Sequence, residues 1–308
     1  MPAAGADSGS LVAGLRDRLL AAFSGEIHSL YLLGSRALGR ETAASDYDLA
    51  ILFRHPADAG KRQAVERWAE TIRRAGEVMV DTTVLDPGDL AGGVRPYLKI
   101  GRCLTGEDVL GGAPLRPADE LVAYYGHLAV YFLWAVRGRP AVLQHPLAYP
   151  AGGEEFRGYD RQGIRVGENQ YVPGCAQLVN DVCSLANFRM ARLAGVFCPS
   201  KSLTVATWSQ CLPDDPWLPL VREVYELGRT QGQGRLPDAP ADRRRLAEWC
   251  GALLPFENEE LTACLLALPR FAALPDPELR QRTLSIVRGV TSRDPAVVAA
   301  LAAAKALL

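Results

Sequence analysis

Two aspartates in the sequence have the spacing expected of a metal site on a β-strand. Asp46 and Asp48 lie in residues 45–53, an otherwise apolar segment that predicts a buried strand. Side chains alternate between the two faces of a strand, so both carboxylates project from the same side. Carboxylates this close repel each other unless a cation lies between them, and magnesium binds carboxylate oxygens together with substrate phosphates. The spacing therefore predicts a metal site that binds the phosphate groups of a substrate.

A glycine–serine turn precedes this pair. An apolar strand predicted over residues 27–33 ends at Gly34 and Ser35, and ten residues separate Ser35 from Asp46. Glycine lets the backbone approach a ligand closely, and a short helix beginning at the turn would direct free N–H groups at an anion. The turn therefore predicts a phosphate site beside the metal site.

A third aspartate, Asp81, lies within residues 78–85, another apolar segment rich in β-branched side chains. An amphipathic helix predicted over residues 61–75 connects the two aspartate-bearing strands. A strand–helix–strand unit usually places its strands side by side. We therefore expect Asp81 to lie near Asp46 and Asp48.

The complete pattern resembles the signature of the DNA polymerase β-like nucleotidyltransferase superfamily. It consists of Gly-Ser, ten residues, Asp-x-Asp on a strand, and a later acid within a strand. The resemblance implies transfer of a nucleotidyl group from ATP or another nucleoside triphosphate, with release of pyrophosphate. It also implies two Mg²⁺ ions bound by Asp46, Asp48 and Asp81. The residues it assigns to nucleotide binding in this part of the chain are Gly34, Ser35, Arg36 and Ser45.

Composition and charge narrow the class of protein. The chain has 308 residues, of which 48% are hydrophobic and 22% charged, which is typical of a globular protein large enough for two domains. A net charge of −1 does not indicate the broad basic surface of a protein that binds duplex nucleic acid. Seven cysteines without a C-x-x-C pair predict reduced thiols in a cytoplasmic protein. No apolar stretch is long enough for a membrane span, and no signal peptide is expected.

The predicted fold class is α+β. Residues 1–112 are expected to form a small mixed β-sheet with flanking helices, closed by an edge strand over residues 97–106. A Gly-Gly-Ala-Pro cluster then marks a linker. Residues 113–308 are expected to form an all-α bundle of six to eight helices. Apolar periodicity places its main helices at residues 120–137, 174–195, 204–211, 218–229, 243–254, 258–268 and 277–290. Residues 143–170 lack periodicity, which predicts either a surface loop or one that contacts substrate.

A catalytic domain of this size followed by a helical domain resembles the aminoglycoside O-nucleotidyltransferases of the streptomycin and spectinomycin type. The resemblance implies transfer of AMP from ATP to a hydroxyl of a small-molecule acceptor. In those enzymes an arginine on a long helix and a lysine after the next turn face the nucleotide phosphates. Arg189 and Lys201 resemble this pair, although Asn187 is an alternative match for the arginine position.

The sequence leaves open which residue is the general base, the group that accepts the proton of the acceptor hydroxyl. That family generally has a glutamate where this chain has Asp81, so Asp81 could be a metal ligand, the base, or both. An acid of the second domain is the alternative, and the candidates are Glu154, Glu155, Glu168 and Asp181.

Other functions are also open. The acceptor could be a protein or an RNA, as in antitoxin-like relatives, or the chain could bind nucleotides without catalysis. A toxin-type helical ribonuclease would need an arginine and a histidine close in sequence, for which Arg139 and His145 are the candidates. The expected partners are a nucleoside triphosphate and a small-molecule acceptor, with neither membrane nor nucleic acid, in a monomer or homodimer.

Overall fold

A computed structural model of the protein describes residues 8–41, 45–75, 78–165, 171–231 and 234–308. Glu168, one of the predicted candidate bases, lies outside the described residues. The chain divides into two compact units, Met1–Arg116 and Pro117–Leu308.

The first unit is built on a four-stranded mixed sheet. Strand β1 pairs antiparallel with β2 and β4, and β2 pairs parallel with β3, giving the order β3-β2-β1-β4. In chain order its elements are α1 (Ser8–Ala22), β1 (Ile27–Leu32), α2 (Gly34–Ala37), β2 (Tyr47–Phe53), α3 (Ala59–Arg74), β3 (Val80–Leu85), α4 (Pro87–Ala91), α5 (Pro96–Lys99) and β4 (Arg102–Gly106). The mixed sheet with flanking helices confirms the predicted fold class.

Both faces of this sheet are covered. Leu49 and Ile51 of β2 pack with Leu19 of α1 and Val65 of α3 in one core cluster. The alternate residues of the same strand belong to a second cluster, which includes Leu98 of α5. Burial on both sides explains why the central strands are almost continuously apolar. The carboxylates of the candidate site lie at or before the strand starts, where this burial begins.

Three predicted strands begin later in the chain than expected, and one of them, β3, begins at Val80 rather than at residue 78. The predicted edge strand over residues 97–106 is a one-turn helix, α5, followed by a strand that begins only at Arg102. Pro96 is the first residue of α5, where its fixed φ suits a helix and its missing N–H is not needed. Likewise, β2 begins at Tyr47 rather than at residue 45, so Asp46 lies just before the strand.

The second unit is helical. Its described residues form seven α-helices, with a 3₁₀ turn at Lys201–Leu203 and a π-helix at Glu226–Gln231. The helices are α6 (Ala118–Val136), α7 (Ala176–Ala194), α8 (Thr204–Cys211), α9 (Leu218–Tyr225), α10 (Pro240–Ala272), α11 (Pro277–Gly289) and α12 (Pro295–Leu307). This confirms the predicted helical C-terminal region. None of the helices in the described part of the chain is long and apolar enough to cross a membrane.

The longest helix corrects a prediction. The two helices expected over residues 243–254 and 258–268 are one helix, α10, with Pro255 inside it. A proline removes one backbone hydrogen bond and crowds the preceding turn. Here Leu253, Phe256 and Leu261, on both sides of Pro255, are fully buried in the core of the unit. This burial favours continuation of the helix through the proline.

The segment without periodicity contains short strands. Strand β5 (Leu143–His145) pairs parallel with β8 (Val290–Ser292), and β6 (Ile164–Arg165) pairs antiparallel with β7 (Tyr171–Val172). The described residues of this segment, 143–165, thus include two short strands, β5 and β6. Whether it contacts substrate stays a prediction.

Candidate active site

The three predicted carboxylates lie together at the start of two parallel strands. In the register of β2 and β3, Asp48 is opposite Asp81, and the N–H of Tyr47 donates to the carbonyl of Met79 at 2.8 Å. One carboxylate oxygen from each of Asp46, Asp48 and Asp81 lies within 4.8 Å of the others. The predicted convergence of the strands is confirmed.

This donor set suits a hard divalent cation. At separations of 4.8 Å, repulsion between two carboxylates is about 1 kcal/mol per pair in water and roughly 3–4 kcal/mol at an effective dielectric near 20. The side chain of Asp81 is 60% exposed, so an ion and a phosphate could reach it from solvent. Magnesium prefers oxygen ligands and commonly uses a few carboxylates together with substrate phosphates. The residues present therefore fit a magnesium site.

Gly34 lies against this site. Its φ is +67°, and a Cβ at this position would be 2.2 Å from Oδ2 of Asp48. The N–H of the preceding residue, Leu33, donates to the carbonyl of Asp48 at 2.8 Å. The turn and the strand are thus in direct contact, and only a residue without a side chain fits between them.

Ser35 and Ser45 lie at the two ends of the segment between the turn and β2, and their hydroxyls are in contact. The turn leads directly into α2, a single helical turn, as the sequence predicts. The Ser35 hydroxyl donates to the Ser45 hydroxyl at 3.1 Å. The two serines are therefore brought together beside Asp46. Their role in nucleotide binding stays a prediction.

Arg36 holds the backbone that carries Asp46. Its guanidinium donates to the carbonyl of Ser45 at 2.7 Å and to the carbonyl of Asp46 at 3.0 Å. It also lies over the ring of the buried Tyr47, at 3.8 Å from the centroid. The sequence prediction assigns Arg36 to the nucleotide, whereas these contacts fix the residues just before β2. No pattern in the sequence distinguishes the two roles.

Arg73, at the end of α3, was missed by the sequence analysis. Its Nη1 donates to the carbonyl of Val80 at 2.9 Å and lies 3.6 Å from Oδ1 of Asp81. The opposite edge of the guanidinium binds Oε2 of Glu70, at 2.7 Å from Nη2 and 2.9 Å from Nε. A basic residue in the last turn before an aspartate-bearing strand was the available signal. Basic residues are common in the last turn of surface helices, so this pattern does not by itself indicate a functional residue.

The two cationic residues predicted in the second unit lie in different surroundings. The Arg189 guanidinium is bound by carboxylates of Asp215, Glu259 and Glu260, each at 2.6 Å, and its side chain is only 8% exposed. Lys201 is exposed and donates from Nζ to Oδ1 of Asn180 at 2.6 Å. The nucleotide-binding role of both residues stays a prediction.

The candidate bases of the second unit are engaged locally. Glu154 pairs with Arg161, and Glu155 accepts from Nε and Nη2, one edge of the Arg243 guanidinium, at 2.6–3.0 Å. Asp181 is completely buried, and burial together with the nearby carboxylate of Glu257 raises its pKa well above the usual range.

The arginine and histidine suggested for a ribonuclease do not form such a site. Both ring nitrogens of His145 are hydrogen-bonded at 2.8 Å, to the hydroxyls of Ser292 and Thr262, and the residue is buried. Arg139 instead donates to the hydroxyl of Tyr131 at 2.7 Å. These contacts favour a structural role for both residues.

Residues 12–79 match the family model described as Nucleotidyltransferase domain, a segment that includes the glycine–serine turn, Asp46 and Asp48. Asp81 lies two positions beyond the matched segment. No curated protein matches the chain. Residues 12–79 are therefore a nucleotidyltransferase domain of the DNA polymerase β-like superfamily, and this domain supports a nucleotidyltransferase enzyme.

Proposed function

We propose that the protein transfers a nucleotidyl group, AMP from ATP, to a hydroxyl of a small aminoglycoside-like molecule and releases pyrophosphate. The observation that carries this proposal is the convergence of Asp46 and Asp48, which lie in the matched nucleotidyltransferase segment, with Asp81 beside the turn at Gly34. Acidic ligands and a backbone turn are together suited to a nucleoside triphosphate with its counter-ion.

Each group has a defined task in this scheme. Asp46, Asp48 and Asp81 hold Mg²⁺, which when bound would neutralise charge on the triphosphate and polarise the α-phosphate. The backbone N–H groups of Gly34 and Ser35, with the Ser35 hydroxyl, bind the β- and γ-phosphates. The acceptor oxygen forms a bond to the α-phosphorus as the bond from that phosphorus to the β-phosphate oxygen breaks. Pyrophosphate leaves with the electron pair of that bond.

The proton of the acceptor hydroxyl must pass to a base, and we assign this task to Asp81. Its side chain is 60% exposed and lies beside the two other carboxylates. Asp181 is a poor alternative, because a completely buried acid with a raised pKa retains its own proton. Glu154 and Glu155 are each paired with an arginine, as Asp81 is with Arg73, but neither belongs to the group of converging carboxylates.

The helical second unit supports a small-molecule acceptor. The order of a nucleotidyltransferase domain followed by a helical unit resembles the aminoglycoside O-nucleotidyltransferases, whereas antitoxin-like relatives usually lack so large a second domain. A protein or RNA acceptor is accordingly the second possibility. The acceptor itself is identified by the experiment below.

Pyrophosphate release provides the test. The full chain is incubated with Mg²⁺, each of the four nucleoside triphosphates, and a panel of aminoglycosides and aminocyclitols. Release should require one nucleotide and one acceptor, and mass spectrometry should find the nucleotidylated acceptor. Asp46→Asn should lose more than about tenfold in activity, because it removes a metal ligand. Asp17→Asn is a matched control, since Asp17 is exposed and pairs with Arg16.

Two outcomes would contradict the proposal. Turnover near that of wild type in Asp46→Asn would exclude the carboxylate site as the catalytic centre. Transfer of label to protein or RNA, with no transfer to any member of the panel, would replace the small-molecule acceptor and leave the nucleotidyl transfer in place.

A further inference from the structure

Arg73 joins the end of α3 to the start of β3, the strand that carries Asp81. One edge of its guanidinium binds Oε2 of Glu70, a residue of the same helix. The other edge faces the carbonyl of Val80 at 2.9 Å and Oδ1 of Asp81 at 3.6 Å. The planar group is thus held on one side and presents its positive charge to the third carboxylate on the other.

We propose that Arg73 is a positioning residue that orients the Asp81 carboxylate for metal binding. This inference rests on the proposed function, because it assigns Asp81 to the metal.

The sheet explains why Asp81 needs such support. Asp48 lies on β2, which is flanked by strands on both sides, and the turn at Gly34 contacts its carboxylate directly. Asp81 lies on β3, the edge strand, and its side chain is 60% exposed. An exposed aspartate on an edge strand can adopt several side-chain rotamers, which direct the carboxylate differently. A fixed cation beside one oxygen favours the converging orientation.

The charges of the site favour the same role. Three carboxylates with oxygens within 4.8 Å of one another repel, and rotation of the most exposed one into solvent would relieve that repulsion. Arg73 opposes this rotation, since it attracts Oδ1 of Asp81 from the side of α3. Residues that orient a metal ligand commonly change metal affinity by about 10- to 100-fold when they are removed.

The neighbouring arginine offers a matched control. Arg74 also binds Glu70, from its Nε to Oε1 at 2.8 Å, but its side chain is 74% exposed. Arg74→Gln removes a charge of the same sign from the adjacent position of the same helix. It should leave metal binding unchanged.

The test is Mn²⁺ binding to the full chain, measured by calorimetry or by electron paramagnetic resonance without nucleotide. Arg73→Gln should weaken binding by about tenfold or more. Asp81→Asn should weaken it as well. In the double variant, loss of Arg73 should have no further effect, because the carboxylate that it orients is gone. Arg73→Lys should also bind more weakly than wild type, because a single amine cannot hold Glu70 and face Asp81 at once.

Several results would overturn the inference. Wild-type affinity in Arg73→Gln would do so. An equal loss of Mn²⁺ affinity on Arg73→Gln in the wild-type protein and in Asp81→Asn would also overturn the inference. Arg73 would then act only through the carbonyl of Val80. If Arg73→Gln does not fold, wild-type affinity in Arg73→Lys is the overturning result. A wild-type protein that binds no Mn²⁺, or binds it equally well as Asp46→Asn, would instead show that the proposed metal site is wrong.

Discussion

Asp48 of β2 lies directly opposite Asp81 of β3 in the parallel register of the two strands. Because paired residues of parallel strands project from the same face, the pairing itself brings the two carboxylates together. Asp46, two positions before Asp48, adds the third oxygen within 4.8 Å. The position of the Asp81 carboxylate therefore depends on the register of β3, an edge strand.

Asp81 should tolerate a longer acid but not an amide. Asp81→Asn removes the charge and should lower kcat/KM by more than about tenfold, since a ligand and proton acceptor is lost. Asp81→Glu keeps the carboxylate at an exposed position where a further methylene has room, and it should stay within about tenfold of wild type. Steady-state pyrophosphate release checks both variants. Equal losses in the two would contradict an essential charge at this position.

Gly34 should be required for the site and Gly39 only for backbone conformation. The two residues have similar positive φ values, +67° and +63°, but an added Cβ meets Asp48 Oδ2 at 2.2 Å only at Gly34 and meets nothing within 4 Å at Gly39. Alanine should lower the free energy of unfolding by about 1 kcal/mol at Gly39, through its φ alone, and by more at Gly34, where the Cβ also meets Asp48. Activity and Mn²⁺ affinity should fall in Gly34→Ala alone. Similar activity in both variants would contradict the importance of the close approach.

Arg36 should act through the backbone of the loop that carries Asp46. Arg36→Lys keeps the charge but loses the planar group that binds two carbonyls and stacks on Tyr47. We expect Mn²⁺ affinity and kcat to fall by about tenfold, with a smaller change in KM for the nucleotide. A variant with a raised nucleotide KM and unchanged Mn²⁺ affinity would instead support the nucleotide-binding role predicted from the sequence.

Removal of Arg189 should lower the stability of the protein, whereas removal of Lys201 should leave it nearly unchanged. Arg189→Met leaves the buried carboxylates of Asp215 and Glu260 without this cation, which should lower the free energy of unfolding by about 3 kcal/mol or more. Lys201→Met removes an exposed amine and should change stability by less than about 0.5 kcal/mol. Denaturant unfolding checks the stabilities. A raised nucleotide KM in Lys201→Met would support its predicted binding role, and an unchanged KM would contradict it.

Asp181 should make the stability of the protein fall as pH rises. Its pKa is raised above the ordinary value of 3.8, because burial and the nearby Glu257 disfavour its charge, although Arg137 acts in the opposite direction. Above that ordinary value the unfolded chain has lost this proton while the folded chain keeps it. The free energy of unfolding therefore falls with pH, by up to about 1.4 kcal/mol per pH unit, until the folded pKa is reached.

Asp181→Asn should remove this part of the pH dependence, since the amide has nearly the same shape and does not titrate. Urea unfolding of wild type and variant at a series of pH values above 4 measures the difference in slope. Ser184→Ala, on the same helix, is the control without a titrating group. Parallel curves for wild type and Asp181→Asn would contradict a retained proton at Asp181.

The site was predictable to the extent that it is encoded locally. Strand periodicity predicted that Asp46 and Asp48 lie on one side, and the glycine–serine turn with its resemblance to the superfamily pattern predicted that Gly34 lies beside them. The contacts of Arg36 and Arg73 were not predictable, because a long side chain can reach several partners and the tertiary fold selects one. Arg189 shows the same difficulty, since nothing in its neighbouring sequence indicates carboxylates from two other parts of the chain.

The helices and strands likewise differ in how well the sequence predicts them. Helices with a clear apolar stripe, such as α6 and α7, were predicted to within a few residues. The single helix α10 was not predicted, because Pro255 is a local signal for a break and only burial of both flanking turns outweighs it. The same holds for α5, where Pro96 begins a helix inside a segment with strand-like composition.

The turn at Gly34 and the three carboxylates all lie between residues 34 and 81, and the sheet that supports them is complete at Gly106, the end of β4. During translation this segment leaves the ribosome before α7 to α12 have been made. Domains tend to fold as units in the order of synthesis, and contacts between residues close in sequence form fastest. The three carboxylates can therefore converge while most of the helical unit is still being synthesised. The cation that the proposed function assigns to them would add to the stability of the nascent domain.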